Sequence, residues 1–210
     1  TISAGDLSAT TSFTPTDDVI YEGNETAIVA ISSVSGADAV EDGTQSETIT
    51  ITENDSSPII TLSTSASSIL ENAGSSLTLT ATTSIAASED IVVSISTTGS
   101  GTEGTDYATV SDITISAGDL TGTSSFTPTD DTTYEGDETG IVAIDSVSGG
   151  SATEDGTQSE TLTITENESS PTITLSTSAS SILENAGTSL ALTVTTSIVT
   201  DEDIVVSIST

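Results

Sequence analysis

Almost every side chain able to do chemistry in this sequence is a carboxylate. Its 210 residues include 33 Asp and Glu but no Lys, Arg, His or Cys, for a formal charge of -33. Four acidic groupings stand out: Glu71 in LENAG, Asp106 in GTEGTDY, Asp130, Asp131 and Glu135 in TDDTTYEGDE, and Glu166 and Glu168 in TITENES. Such groups can hold a hard cation, or act as paired acid and base on a glycoside. Two carboxylates about 4 Å apart repel by roughly 4 kcal/mol at an effective dielectric near 20, so a site that gathers several needs a cation from outside. Carboxylate, Asn and backbone oxygens suit calcium; magnesium is smaller, sheds water reluctantly and fits a carboxylate cage less well.

The missing residue types narrow the field further. Without Lys or Arg the chain cannot release phosphate counterions, so neither nucleic acid nor an anionic lipid surface is an expected partner. Without His, Lys, Arg, Cys or Trp it lacks the usual bases, oxyanion partners and sugar-stacking platforms, so no enzyme is expected. No apolar run approaches the length that spans a bilayer. For the extracellular, cell-surface setting expected of this chain, the absence of Cys leaves packing or metal to stabilise the fold.

The elements that must position these acids are short strands. Leu77, Leu79 and Ala81 alternate with Thr78, Thr80 and Thr82, and Leu162 and Ile164 alternate with Thr161, Thr163 and Thr165; a period of two predicts strands. Similar runs at 59–62, 91–95, 124–127 and 141–144 are separated by Gly, Ser, Asp and Asn clusters that supply turns. Apart from a helical turn admitted at 67–71, no helix is expected.

The segment TISAGDL occurs at 1–7 and again at 114–120, and the offset of 113 residues continues through Phe13/Phe126, Tyr21/Tyr134 and Pro58/Pro171. About seven short strands per repeat predict tandem Ig-like antiparallel β-sandwiches. The Ser-Ser-Pro steps at 56–58 and 169–171 mark junctions, since Pro cannot donate to a ladder. The expected organisation is therefore the back part of one repeat at 1–56, a complete repeat at 57–169 and the front part of the next at 170–210. Half a sandwich cannot bury its faces. Either the repeat continues in both directions, the simpler expectation, or the front half of one molecule complements the back half of another.

Four motifs stand in order along the complete repeat: Glu71-Asn-Ala-Gly74, Gly101-Thr-Glu-Gly-Thr-Asp-Tyr107, Asp130-Asp-Thr-Thr-Tyr-Glu-Gly-Asp-Glu138 and the closing Glu166-Asn-Glu168. Together they resemble the Calx-β domains of sodium-calcium exchangers, integrin β4 and many large microbial surface proteins, and the resemblance covers a whole repeat. It implies that Glu71, Asp106, Asp130, Asp131, Glu135, Glu166, Asn167 and Glu168 line a calcium cluster, with a backbone carbonyl from Thr133. In residues 1–56 the matching positions are Asp17, Asp18, Ile20, Glu22, Glu53, Asn54 and Asp55, and in the last segment Glu184. The closing triplet departs from the three Asp usual in the family, and Gly140 and Ala27 stand where a bulky apolar residue is common, which predicts a thinner core. Asp137, Glu138, Glu154, Asp155 and Glu160 are expected to be solvated surface acids.

The expected function is a calcium-binding spacer, stalk or filament segment of an adhesin-like protein. Its partners would be calcium ions, neighbouring repeats and identical chains in a fibre. The alternatives are recognition of a glycan, ice or a cell-surface partner through threonine rows, a calcium sensor and a carboxylate glycosidase. Repetition favours the spacer, because a stalk needs many copies and a sensor needs one tuned copy.

Overall fold

The computed structural model describes residues 1–185 and 187–209. It is all-β, with no helix among the described residues. In chain order the strands are β1 (Ile20–Tyr21), β2 (Glu25–Ala30), β3 (Ser46–Ile51), β4 (Ile59–Thr64), β5 (Ser68–Leu70), β6 (Leu77–Thr83), β7 (Ala86–Ala87), β8 (Ile91–Gly99) and β9 (Ile113–Ile115). They continue as β10 (Thr121–Phe126), β11 (Thr133–Tyr134), β12 (Glu138–Ser148), β13 (Thr153–Glu154), β14 (Ser159–Thr165), β15 (Ile173–Thr177), β16 (Leu192–Thr196) and β17 (Val199–Thr200).

Residues 59–165 form a two-sheet sandwich: a four-stranded sheet ordered β10-β6-β4-β13 and a five-stranded sheet ordered β5-β14-β12-β8-β9. The long strands pair antiparallel, while β5 runs parallel to β14 and β13 parallel to β4. β4 and β5 act as one strand that changes sheets, so seven principal strands build the sandwich, with β13 as a short edge. Residues 68–70, within the 67–71 span whose sequence admits a helical turn, are instead strand β5, because Ile69 is drawn into the core beside Ile164.

Alternation fills the interior. Leu77, Leu79 and Ala81 of β6 face Ile91 and Val93 of β8, Val142 and Ile144 of β12, and Leu162 and Ile164 of β14, all buried in one cluster with Tyr107 and Phe126. The outward residues of β6, β4 and β10 form a hydroxyl face, in which Thr80 is in register with Thr123 on one side and Ser63 on the other.

The core is not thin at Gly140. A Cβ there would lie 2.7 Å from Cε2 and Cζ of Phe126, whose ring stacks on Tyr107 with centroids 4.6 Å apart. Two aromatic rings occupy the room a larger side chain on β12 would fill. Phe126→Ala is therefore expected to cost about 3–5 kcal/mol and Gly140→Val about 1–3 kcal/mol through overpacking, both read as losses in urea or thermal unfolding. A Gly140→Val variant as stable as the parent would show that the ring moves freely aside.

Two further pairings link segments far apart in sequence. β1 runs parallel to β7, with Ile20 opposite Ala86 and Tyr21 opposite Ala87. β11 pairs with β17 in the same way, Thr133 opposite Val199 and Tyr134 opposite Thr200. The second pairing is the first displaced by 113 residues.

Candidate metal centre

The acids converge where β5, β11 and β14 end and β12 begins. Glu71 directly follows β5, and its backbone N–H donates to Thr165 O at 3.0 Å. Its side chain is only 6% exposed and accepts a hydrogen bond from the Asp131 N–H at 3.2 Å. Burial, the largest cause, and the carboxylates of Glu166, Glu168 and Asp131 raise its pKa to about 7. A buried carboxyl in such company holds its proton unless a cation replaces it.

Glu166 leaves β14 in the opposite state. One carboxylate oxygen accepts from the backbone N–H groups of Glu135 at 2.7 Å and Gly136 at 2.8 Å. The other accepts from those of Asn167 at 2.8 Å and Glu168 at 2.9 Å. Burial pushes this pKa up, but the N–H donors of Glu168, Glu135 and Gly136 outweigh it and bring it down to about 2. Glu166 is thus a permanent anion that ties the closing triplet to the Tyr134-Glu135-Gly136 turn. Asp137 accepts the N–H of Glu166 at 3.0 Å.

Three triads of carboxylate oxygens fall within 4.8 Å: Glu71, Glu166 and Glu168; Glu71, Asp131 and Glu135; and Asp106, Glu135 and Glu138. Charges that far apart repel by about 3 kcal/mol per pair at an effective dielectric of 20. Asp106 reaches the site from the 101–107 loop, where Thr102 N–H donates to its side chain at 2.6 Å. Burial raises the pKa of Glu135, with Asp106, Asp131 and Asp201 adding to the shift. Glu168 is raised as well, first by its hydrogen bond with Glu166, and the charge of Asp130 adds to this. Oδ1 of Asn167 and Oε2 of Glu168 are buried yet accept no hydrogen bond, although buried acceptors are ordinarily paired. Two orphaned oxygens beside three overlapping triads, with no sulfur or nitrogen donor, fit a hard divalent cation such as calcium.

The structure thus gathers Glu71, Asp106, Asp131, Glu135, Glu166 and Glu168, with Asn167 and Asp130 alongside. Thr133 contributes its N–H to Asp131 at 2.6 Å. Glu138, expected to be a surface acid, belongs with them. Burial, then Asp106 and Glu135, raise its pKa to about 7. Its inward position follows from sharing the parity of Gly140, Val142 and Ile144 on β12.

Residues 1–56 reproduce half of this arrangement. Glu53 accepts from the backbone N–H groups of Glu22, Gly23, Asn54 and Asp55 at 2.6 to 2.9 Å, and these donors, Asp55 first, lower its pKa. Asp18 accepts the Ile20 N–H at 2.9 Å and Asn54 donates to Asp17 at 3.2 Å. Asp17, Asp18, Ile20, Glu22, Glu53, Asn54 and Asp55 line an open cleft of about 440 Å³. Glu184 stands exposed and joins no carboxylate group among the described residues.

The site also touches the next copy of the motif. Tyr134 and Glu135 share a 150 Å³ pocket with Thr200, Asp201 and Glu202, beside the β11–β17 pairing.

Comparison with solved structures finds distant likenesses. A crystal structure of the apo form of the Calx CBD1 domain matches 53% of this chain and 99% of its own, with a TM-score of 0.45 and 16% identity. A structure of CBD12 from CALX1.2 matches 51% of this chain and 45% of its own, with a TM-score of 0.44 and 16% identity. No family model matches the chain. A search of curated proteins finds no match either. These likenesses are too slight to carry a function, which rests on the site itself.

The three carboxyls shifted furthest, Glu71 and Glu138 upward and Glu166 downward, set a pH profile for the metal-free protein. Glu71 and Glu138, raised from 4.5 to about 7, bind more protons folded than unfolded, so their contribution is full below 4.5 and lost as pH rises through 7. Glu166, lowered to about 2, contributes above 4.5 and is lost as pH falls through 2. In chelator the melting temperature is therefore expected to rise between pH 8 and pH 5 and to fall again toward pH 2. Glu71→Gln should raise the metal-free melting temperature at pH 8 and flatten the rise; an unaltered profile in that variant would contradict the assignment.

Proposed function

We propose that this chain is a segment of an extracellular array of Calx-β-like repeats, stiffened by calcium and serving as a spacer or stalk of an adhesin-like surface protein or filament. Residues 57–169 would be one complete repeat, with 1–56 and 170–210 belonging to its neighbours. The observation that carries the reading is the set of three carboxylate triads with two orphaned buried oxygens, placed against the β11–β17 pairing. Glu71, Asp106, Asp131, Glu135, Glu138, Glu166, Asn167 and Glu168 would hold the ions, with Asp130 and the Thr133 carbonyl at the rim. Bound calcium supplies positive charge where the chain has none.

Stiffness follows from position. Glu135 lies one residue beyond Tyr134, which pairs with Thr200 of the next copy, and Asp201 adds its negative charge at Glu135. Without cations, this repulsion acts across the joint; with them, the same acids draw the two sides together. A sensor or an enzyme gains little from repeating the joint at a 113-residue interval, whereas a spacer gains length.

A second reading is favoured by the hydroxyl face of β4, β6 and β10, whose Thr and Ser rows are in register across three strands. It would serve recognition of ice or a glycan, but Thr is also a common solvent-facing strand residue. An ice-recrystallisation assay separates the two: activity would favour recognition.

Calcium at a hundred times its Kd is expected to stabilise the chain by about 2.7 kcal/mol for each independent site. Small-angle scattering should show a longer, narrower distance distribution with calcium than with chelator. The same maximum dimension and melting temperature in both would overturn the spacer reading.

A further inference from the structure

The chain contains the same joint twice, and the two copies differ at the residues that form it. At the first, Ile20 and Tyr21 pair with Ala86 and Ala87, and the Ser88 N–H donates to Tyr21 O at 3.0 Å. At the second, Thr133 and Tyr134 pair with Val199 and Thr200, and Asp201 follows. Residues 196–204 match 83–91 at six of nine positions, and the three that differ are the two paired residues and the one after them. Ala86-Ala87-Ser88 stands against Val199-Thr200-Asp201, while the opposing side keeps the same Tyr-Glu-Gly at 21–23 and 134–136.

The residues of the second joint place a carboxylate there. Thr200 Oγ1 donates to the Glu202 carbonyl oxygen at 2.8 Å, a local bond that closes the turn around Asp201 and that Ala87 has no hydroxyl to make. Asp201 lines a pocket of about 150 Å³ together with Tyr134 and Glu135, and Glu135 belongs to the triad with Asp106 and Glu138. Burial comes first in raising Glu135 and Glu138, and the charge of Asp201 adds to both. Asp201 is not a member of the triads, so it meets their cation across this pocket. The space suits a cation that keeps several of its waters, as calcium does among its six to eight ligands.

We propose that Asp201 completes the cation site from the other side of the joint, so that an ion held at Glu135 fastens the following segment to the sandwich. The joint that carries Ser88 gains no such ligand and closes through its main-chain hydrogen bonds. Successive joints of the chain are thus of two kinds, one fastened by a shared cation and one by backbone pairing alone. This inference rests on the calcium reading of the site and adds to it a ligand from the following segment.

The test uses the 210-residue chain, with calcium titration as one readout. The other is pulsed electron spin resonance between labels on Thr123→Cys and Thr193→Cys, two exposed positions on opposite sides of the joint, in a chain with no Cys of its own. Calcium is expected to narrow the distance distribution of the labelled chain. Asp201→Ser, which installs the residue of the other joint, should abolish that narrowing and weaken one class of calcium site about tenfold, because Kd follows the charge of the ligand set. Glu202→Gln also removes one charge, at a position that is Glu in both joints, and should leave both readouts near those of the parent. Equal losses in the two variants would reduce Asp201 to diffuse charge and overturn the proposal. An Asp201→Ser chain that binds calcium and narrows like the parent would overturn it too, leaving the calcium reading intact. A parent chain that binds no calcium would overturn that reading and this inference with it.

Discussion

The structure has to live with negative charge that nothing in the sequence neutralises. Carboxylates usually sit beside Lys or Arg, or spread out into water; here neither cationic side chain exists, yet one end of the sandwich draws seven acidic side chains into overlapping groups 4.8 Å across. The fold answers in two ways. Backbone N–H groups converge on Glu166 and keep it ionised, while Glu71 and Glu138 are buried enough to favour their protonated forms. A divalent cation would resolve the remaining conflict by replacing those protons, so occupancy, stability and pH are linked through the same few residues.

The core and the charged tip are mechanically continuous. β12 carries Val142 and Ile144 in the interior, Gly140 beneath Phe126, and Glu138 at the site, all on one face of one strand. β14 delivers Glu166 directly after Ile164 and Thr165, and β5, paired with it, delivers Glu71. Side chains at strand ends have their direction set by the alternation behind them, so acids distant in sequence meet without a dedicated scaffold. The parallel two-residue pairing of Thr133 and Tyr134 with Val199 and Thr200 joins this end of the sandwich to the segment that follows.

Much of this can be read from the sequence. Alternation in 77–82 and 161–165 gave away the strands, the 113-residue offset gave away the repetition, and the clustering of acids at strand ends marked most of the residues that converge. Four features were harder to see. Glu138 looks like a surface acid within the run Glu-Gly-Asp-Glu until its parity with Val142 is followed through Gly140. Gly140 reads as a gap in the core, because only tertiary packing shows the Phe126 ring lying over it. Residues 68–70 are too few for periodicity to separate strand from helical turn, and burial of Ile69 decides the matter. The pairing of Tyr134 with Thr200 left no trace in propensity, since it depends on how successive copies stack.

The most direct test of the account is the calcium stoichiometry of the folded 210-residue chain, measured by equilibrium dialysis and elemental analysis at neutral pH. At least two bound ions per chain, with a loss on Glu135→Gln, is the predicted result, because Glu135 belongs to two of the three triads. A folded chain that retains no calcium above the buffer level would contradict it.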